Sequence, residues 1–310
     1  MKGWLVAAWL ALISQAQAET FSFALIGDVP YSDYERRELP RLLEAIADNQ
    51  VDFVAHVGDF KHGSGRCDDS VFVDRQQLFD SSRVPFVFIP GDNEWTDCER
   101  LSNGAYAQQE RLDKLRSLFW QDNQSLGQKK LALTRQPGPY LEHSRFQLGP
   151  VLFVTFNLPG GNNNYGLADK PSADFQARNP AVLGWLKEGF ALARQQKLKG
   201  IVLLFQADPS FKNFAQGFAH KGYRAFLETL RDETRQFSGQ VIAVHGDTHI
   251  SRIDQPLRDA LGRPLHNFIR VETFGYPLMG WTRAVIDTDS ASLFRFETHP
   301  WPPKQALRGD

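Results

Sequence analysis

The chain has 310 residues, 42% hydrophobic and 23% charged, with a formal net charge of -1. That length and apolar share fit one large domain or two small ones with a real core, and they exclude a disordered chain. The near-neutral balance argues against a general nucleic-acid binder or a membrane-surface protein, because both rely on clustered Lys and Arg.

Residues 1–18, MKGWLVAAWLALISQAQA, join one Lys, a short apolar core from Trp4 to Ile13 and the small-x-small run Ala16-Gln17-Ala18. This is the pattern of a secretory signal peptide, and it predicts an exported, periplasmic or secreted mature domain over residues 19–310. No later stretch approaches the roughly 18 apolar residues of a membrane-spanning helix, so no membrane insertion is expected. Export to an oxidising compartment favours a Cys67–Cys98 disulfide, since these are the two cysteines of the chain.

Residues 21–26 read as a strand that ends in Gly27-Asp28. A helix follows with Leu39, Leu42, Leu43 and Ile46 at helical spacing, and Pro40 is expected in its first turn. The strand at residues 53–57 delivers Gly58-Asp59. After a polar loop and a helix with Phe72, Leu78 and Phe79, the strand at 84–89 delivers Gly91-Asp92. This alternation predicts a parallel sheet with right-handed crossovers. Residues 95–105 read as loop, 106–120 as a helix and 121–145 as irregular. The strand at 151–156 opens into Asn157 and the run Gly160-Gly161-Asn162-Asn163-Asn164, either an amide-lined mouth or a solvated turn.

Asn179-Pro180 reads as a cap followed by the first helical residue. The strand at 200–205 ends in Gln206 and Asp208. A helix bearing Tyr223, Phe226, Leu227 and Leu230 precedes the strand at 241–245, which delivers His245 and Gly246-Asp247-Thr248-His249. Three more strands, at 268–274, 283–287 and 292–297, lie close together without helices and predict antiparallel closure of a sheet.

Buried strands ending at one sheet edge bring their terminal residues into one crevice, so four Gly-Asp turns are expected to face each other. Packed acids repel unless a cation sits among them; oxygen-rich ligands suit Mn, Mg or Ca, and imidazole adds Zn, Fe or Ni.

In order and spacing these motifs resemble the calcineurin-like metallophosphoesterases, from Gly27 to His249. The resemblance implies an α/β fold of two mixed β-sheets packed as a sandwich and flanked by helices. It also implies two divalent ions that activate water for hydrolysis of small-molecule phosphate mono- or diesters. Asp28 stands for the first acid, with Pro30 where the family has a metal-binding His, and Asp59 stands for the bridging acid. Asp92 replaces a ligand Asn, Asn93 the catalytic His, Gln206 a lone His with Asp208 as a competing candidate, and Asp247 the first His of the last motif, whose second is His249. The implied ligand sets are Asp28, Asp59 and His249 for one ion, and Asp59, Asp92, Gln206 and Asp247 for the other. Such a set is harder than the family norm and favours Mn, Mg or Ca.

His62 is the candidate substitute proton donor, alongside Asn93 at the catalytic position. Tyr31 and Glu94, beside the ligands, bind substrate or pack; His245 is expected to orient Asp59 or Asp247; His56 reads as a hydrogen-bonded core residue. There is no Gly-x-Ser-x-Gly elbow, Walker loop or dinucleotide fingerprint to support a rival enzyme class. The second reading is a non-catalytic metal- or ligand-binding protein on the same scaffold.

Overall fold

The computed structural model describes residues 20–167 and 170–303. The expected leader at residues 1–18 lies outside the described residues. Strand and helix first alternate: β1 (Thr20–Ile26), α1 (Asp33–Asp48), β2 (Phe53–His56), α2 (Asp69–Asp80), β3 (Phe86–Phe88) and α3 (Gln108–Phe119). Next come β4 (Thr134–Arg135), β5 (Ser144–Leu148), β6 (Val151–Thr155), the single turn α4 (Gly160–Asn163), β7 (Gly166–Leu167), β8 (Lys170–Pro171) and α5 (Ala173–Gln195). The chain continues through β9 (Gly200–Leu204), α6 (Phe211–Ala215), α7 (Lys221–Gln236) and β10 (Gln240–His245), and ends with β11 (Arg252–Asp254), β12 (Phe268–Glu272), β13 (Gly280–Asp287) and β14 (Phe294–Pro300).

Two large sheets result, in the orders β14-β13-β1-β2-β3 and β11-β12-β10-β9-β6-β5-β4. Both are mixed: β1, β2 and β3 run parallel, as do β6, β9, β10 and β12, with antiparallel strands at the flanks. Apolar residues from both, among them Phe23, Phe53, Phe153, Val202 and Ile242, form the core between the sheets. The opposite face of the first sheet is covered by Leu39, Leu42, Phe72 and Leu112 of α1 to α3, and that of the second by Trp185, Phe190, Phe226 and Leu230 of α5 and α7. This is the helix, sheet, sheet, helix sandwich expected from the sequence. No helix of the described residues is long and apolar enough to cross a membrane.

Three local expectations need correction. Pro40 lies inside α1, not in its first turn; the helix starts where Ser32 Oγ accepts the Glu35 N–H at 3.2 Å. The missing proline donor is outweighed by the buried stripe Leu39, Leu42, Leu43 and Ile46. Pro180 is likewise interior, because α5 starts where Ser172 Oγ accepts the Phe175 N–H at 3.0 Å. Finally, β12 pairs parallel with β10 in the second sheet, while only β13 and β14 close the first sheet antiparallel.

Candidate active site

The Gly-Asp turns lie at the carboxyl ends of β1, β2, β3 and β10. Asp28, Asp59, Asp247 and His249 all have left-handed backbone, with φ of 50°, 60°, 78° and 60°. Asp and His are among the residues that tolerate this region. Two of the turns aim a carboxylate across the crevice into the glycine of another, Asp59 into Gly91 and Asp28 into Gly246. A methyl group on Gly91 would lie 2.0 Å from Asp59 Oδ1, and one on Gly246 would lie 2.1 Å from Asp28 Oδ2. Gly91 and Gly246 are therefore needed for close approach of neighbouring acids.

The acids share few donors. Asp59 Oδ1 accepts the Asn93 N–H at 3.1 Å, and its Oδ2 accepts from Tyr31 Oη and from Gln206 Nε2, each at 3.1 Å. The Asp247 N–H lies 3.1 and 3.2 Å from the two Asp28 oxygens, and Asp247 Oδ2 accepts the Asp208 N–H at 2.8 Å. Among the described residues, Asp92 Oδ1 is buried with no hydrogen-bond partner. Burial, then the charges of Asp92, Glu94, Asp28 and Asp247, holds Asp59 well above the usual carboxylate range, and burial does the same to Asp28. Burial with the Asp97 charge pushes Asp92 up to about 6; burial with the Asp92 charge pushes Asp247 up to about 7.

His249 completes the cluster. Its Nδ1 lies 2.8 Å from the Tyr276 carbonyl, which fixes the ring with Nε2 facing Asp28 Oδ1 at 3.6 Å and Tyr31 Oη at 3.3 Å. Burial lowers its pKa, favouring the neutral ring that ligates metals. Tyr31 Oη is a hub: it also accepts from Asn93 Nδ2 at 2.9 Å, and Asn93 Nδ2 donates to the Lys61 carbonyl at 3.0 Å. His62 is exposed, with its ring edge-on to Tyr31 at 5.5 Å.

A calcineurin-like phosphoesterase family model matches residues 21–255. The chain belongs to that family. The fold is similar to that of a dimetal phosphatase from Danio rerio, with a TM-score of 0.53 and 15% identity over 91% of this chain and 99% of that one. It is also similar to a purple acid phosphatase from yellow lupin (Lupinus luteus) seeds, with a TM-score of 0.52 and 12% identity over 92% of this chain and 52% of that one. No curated protein matches the chain significantly.

Among the described residues of this phosphoesterase, no three His, Cys, Asp or Glu side chains already stand as a metal cage. Hydrogen bonds from Tyr31, Gln206 and backbone N–H groups hold the carboxylate oxygens instead. The donor set nevertheless fits a divalent cation: the acids repel one another, Asp92 Oδ1 is buried without a partner, and His249 Nε2 faces them. Gln206 is placed among them as a brace, its Nε2 on Asp59 and its Oε1 accepting the Gly160 N–H at 2.5 Å.

Other expected site residues have different work. Glu94 is buried with both oxygens on backbone N–H groups, of Phe60 and of Gly91 at 2.8 Å, so it braces the turns after β2 and β3. Asp208 gives its carboxylate to the Ser210 N–H and to Arg252. His245 does not orient Asp59 or Asp247: Nδ1 lies 2.9 Å from the Gly246 carbonyl, and the ring stacks on Phe205 because β10 buries that face. Asn157 is buried away from the acids, donating to Glu142 Oε1 at 3.0 Å, with its carbonyl on Arg178. His56 is the hydrogen-bonded core residue expected, 2.7 Å from the Val29 carbonyl.

The asparagine run is a turn, with Gly161 exposed, Asn162 and Asn164 half-buried and Asn163 buried, and not an open amide-lined mouth. Gly161, Asn162, Asn163 and Asn164 form a left-handed turn, with φ between 51° and 60°. Buried Arg178 locks it through Nη1 to Asn163 Oδ1 at 2.7 Å and Nη2 to the Asn163 carbonyl at 3.1 Å. That turn seats Gly160 against Asp92, where a methyl would lie 2.7 Å from Oδ1.

The sequence reading missed Arg178, Asp97 and Glu272. Glu272 ends β12 opposite His245 and accepts from Thr248 and from Arg252 Nε at 2.5 Å, bracing the last turn. An acid ending the strand at 268–272 was the available signal. The expected Cys67–Cys98 disulfide is present, joining the loops after Asp59 and Asp92 across a separation of 31 residues.

Proposed function

We propose that the protein is an exported, metal-dependent hydrolase of small-molecule phosphate esters. The observation that carries this reading is the convergence of Asp28, Asp59, Asp92 and Asp247, four mutually repelling acids, one with a buried unpartnered oxygen. Asp28, Asp59 and His249 would hold one cation, and Asp59, Asp92 and Asp247 the other, with Gln206 at its edge. Their oxygen-rich chemistry favours Mn, Mg or Ca over Zn, Fe or Ni. Bound ions supply an activated water and a charge clamp for the phosphoryl oxygens. Export rests on the leader at residues 1–18, and N-terminal sequencing of the mature protein should read from Glu19; an intact Met1 would overturn it.

The chain's own groups set the leaving-group preference. The Asn93 amide can donate a hydrogen bond to a phosphoryl oxygen, but it cannot surrender a proton at neutral pH. General acid help is typically worth about 10²- to 10⁴-fold, and its absence weighs most on alkoxide leaving groups. Aryl phosphates should therefore turn over in the presence of Mn, Mg or Ca faster than alkyl phosphates. Log rate plotted against leaving-group pKa is expected to be steep for wild type. A flat plot that becomes steep in His62→Ala would give the proton to His62, and metal binding without turnover of any ester would make the chain a binding protein.

A further inference from the structure

Beside the acid cluster lies a cleft of opposite charge, with a volume of about 550 Å³. It opens between the start of α1, the loop after β2 and α2, and its cationic lining is Arg36, Arg37, Lys61, Arg66 and Arg75, with His62 at its wall. The carboxylates in the lining are Asp33 and Asp74.

Asp74 is shared. Arg36 binds it through Nε at 2.7 Å and Nη2 at 2.6 Å, and Arg75 Nη1 binds the same carboxylate. One carboxylate on two guanidinium groups leaves a positive charge uncompensated. Arg66 is paired bidentately with Asp68 at 2.8 and 2.9 Å. Neighbouring ion pairs go to Arg36, Arg41, Arg66 and Arg75, leaving exposed Arg37 without one among the described residues. Lys61 is buried, and its Nζ donates to the carbonyls of His62 at 3.1 Å and Gly65 at 2.8 Å. Its hydrogen bonds go to neutral oxygens, with a third N–H still to give, while its charge feels the carboxylates of Glu94 and Asp59 in the neighbouring crevice.

The cleft and the acid cluster share a wall. Tyr31 lines the cleft while its hydroxyl rests on Asp59 and Asn93, and Lys61 lines the cleft while its carbonyl receives Asn93. An anion in the cleft would therefore sit immediately beside a phosphoryl group at the acids.

We propose that this cleft receives a second phosphoryl group of the substrate, so that the enzyme acts on small molecules carrying two phosphates; this rests on the phosphoesterase reading above. Arginine clusters suit phosphate because guanidinium groups bind its oxygens through paired, charge-assisted hydrogen bonds. The chemistry is plain hydrolysis: water oxygen bonds to the scissile phosphorus, the bond from phosphorus to the leaving oxygen breaks, and that oxygen leaves with a proton. The second phosphate remains on the product.

Two measurements separate the inference from the reading beneath it. In calorimetry on metal-free protein, inorganic diphosphate is expected to bind more tightly than inorganic phosphate. Arg37→Ala should weaken it about tenfold, as the loss of a charged hydrogen bond implies, and Asp33→Ala should strengthen it. With metal present, the ratio of kcat/KM for fructose 1,6-bisphosphate over fructose 6-phosphate should exceed one and fall in Arg37→Ala. If aryl phosphates turn over but diphosphate binds no better than phosphate and the ratio ignores Arg37, the cleft has no such role and the phosphoesterase reading stands. If no ester turns over while diphosphate binding still depends on Arg37, the anion site is upheld and the hydrolytic reading falls.

Discussion

Asp59→Asn is expected to lower divalent-metal affinity more than the same change at Asp28, Asp92 or Asp247. In the proposed ligand sets Asp59 would serve both ions, and it is the acid that Tyr31, Asn93 and Gln206 jointly hold. Loss of an outer partner of a metal ligand costs about 10- to 100-fold in affinity, so loss of a shared ligand should exceed about 100-fold and abolish turnover with it. Asn is the right substitution because it tolerates the left-handed backbone at this position, where φ is 60°. The same variant tests the electrostatics without metal. Folded-state pKa values raised above the unfolded range mean that the folded protein holds protons the unfolded chain releases. The crevice acids' contribution to metal-free stability is therefore fully present below about pH 4. It is lost as pH climbs through the folded values of about 6 for Asp92 and about 7 for Asp247. Removing the Asp59 charge should flatten that slope. Bound metal measured across the four variants, with urea unfolding from pH 4 to 8, decides the matter; equal metal losses and an unchanged slope would mean that Asp59 is not the shared acid.

Breaking the Cys67–Cys98 bond carries the second large effect. The bridge closes a loop of 31 residues, and loop-closure entropy of that length is worth about 3 to 4 kcal/mol. The loop contains Asn93 and Asp92, and the Asn103 side chain ties its far side to the Gly63 carbonyl at 2.7 Å and the Asp97 carbonyl at 3.0 Å. Cys98→Ser should lower the urea midpoint and weaken metal binding together. A variant with the wild-type midpoint would show that these hydrogen bonds hold the loops unaided.

The crevice was legible in the sequence because its physics is local. Each Gly-Asp pair marks a tight turn at a strand end, and at Gly91 and Gly246 only a hydrogen atom fits against a neighbouring carboxylate, so the pattern that ends the strand also names the acid. The helix starts at Pro40 and Pro180 misled because a buried apolar stripe tolerates one missing donor, a tertiary effect with no local sign. The sheet that β12 joins is fixed by its contact with β10 and is equally silent in the residues 268–272. Arg178 and Glu272 were missed for a related reason: a lone charged residue is ordinary on a surface, and only the fold puts it under the crevice. The turn in the Gly-Gly-Asn-Asn-Asn run was legible, since Gly and Asn tolerate left-handed backbone, but not the guanidinium that holds it.

Asp28, Asp59 and Asp92 arrive on the first sheet; Gln206, Asp247 and His249 arrive from the second. The disulfide stitches loops within the first group only. Any cation gripped by both groups acts as a reversible cross-link between two parts of the chain more than a hundred residues apart, from Asp92 to Gln206. A fragment ending before β9 would keep its bridge and three of its acids, yet could assemble neither complete ligand set. With the proposed ligand sets, the supply of metal would become a control on how firmly the two halves of the sandwich stay shut.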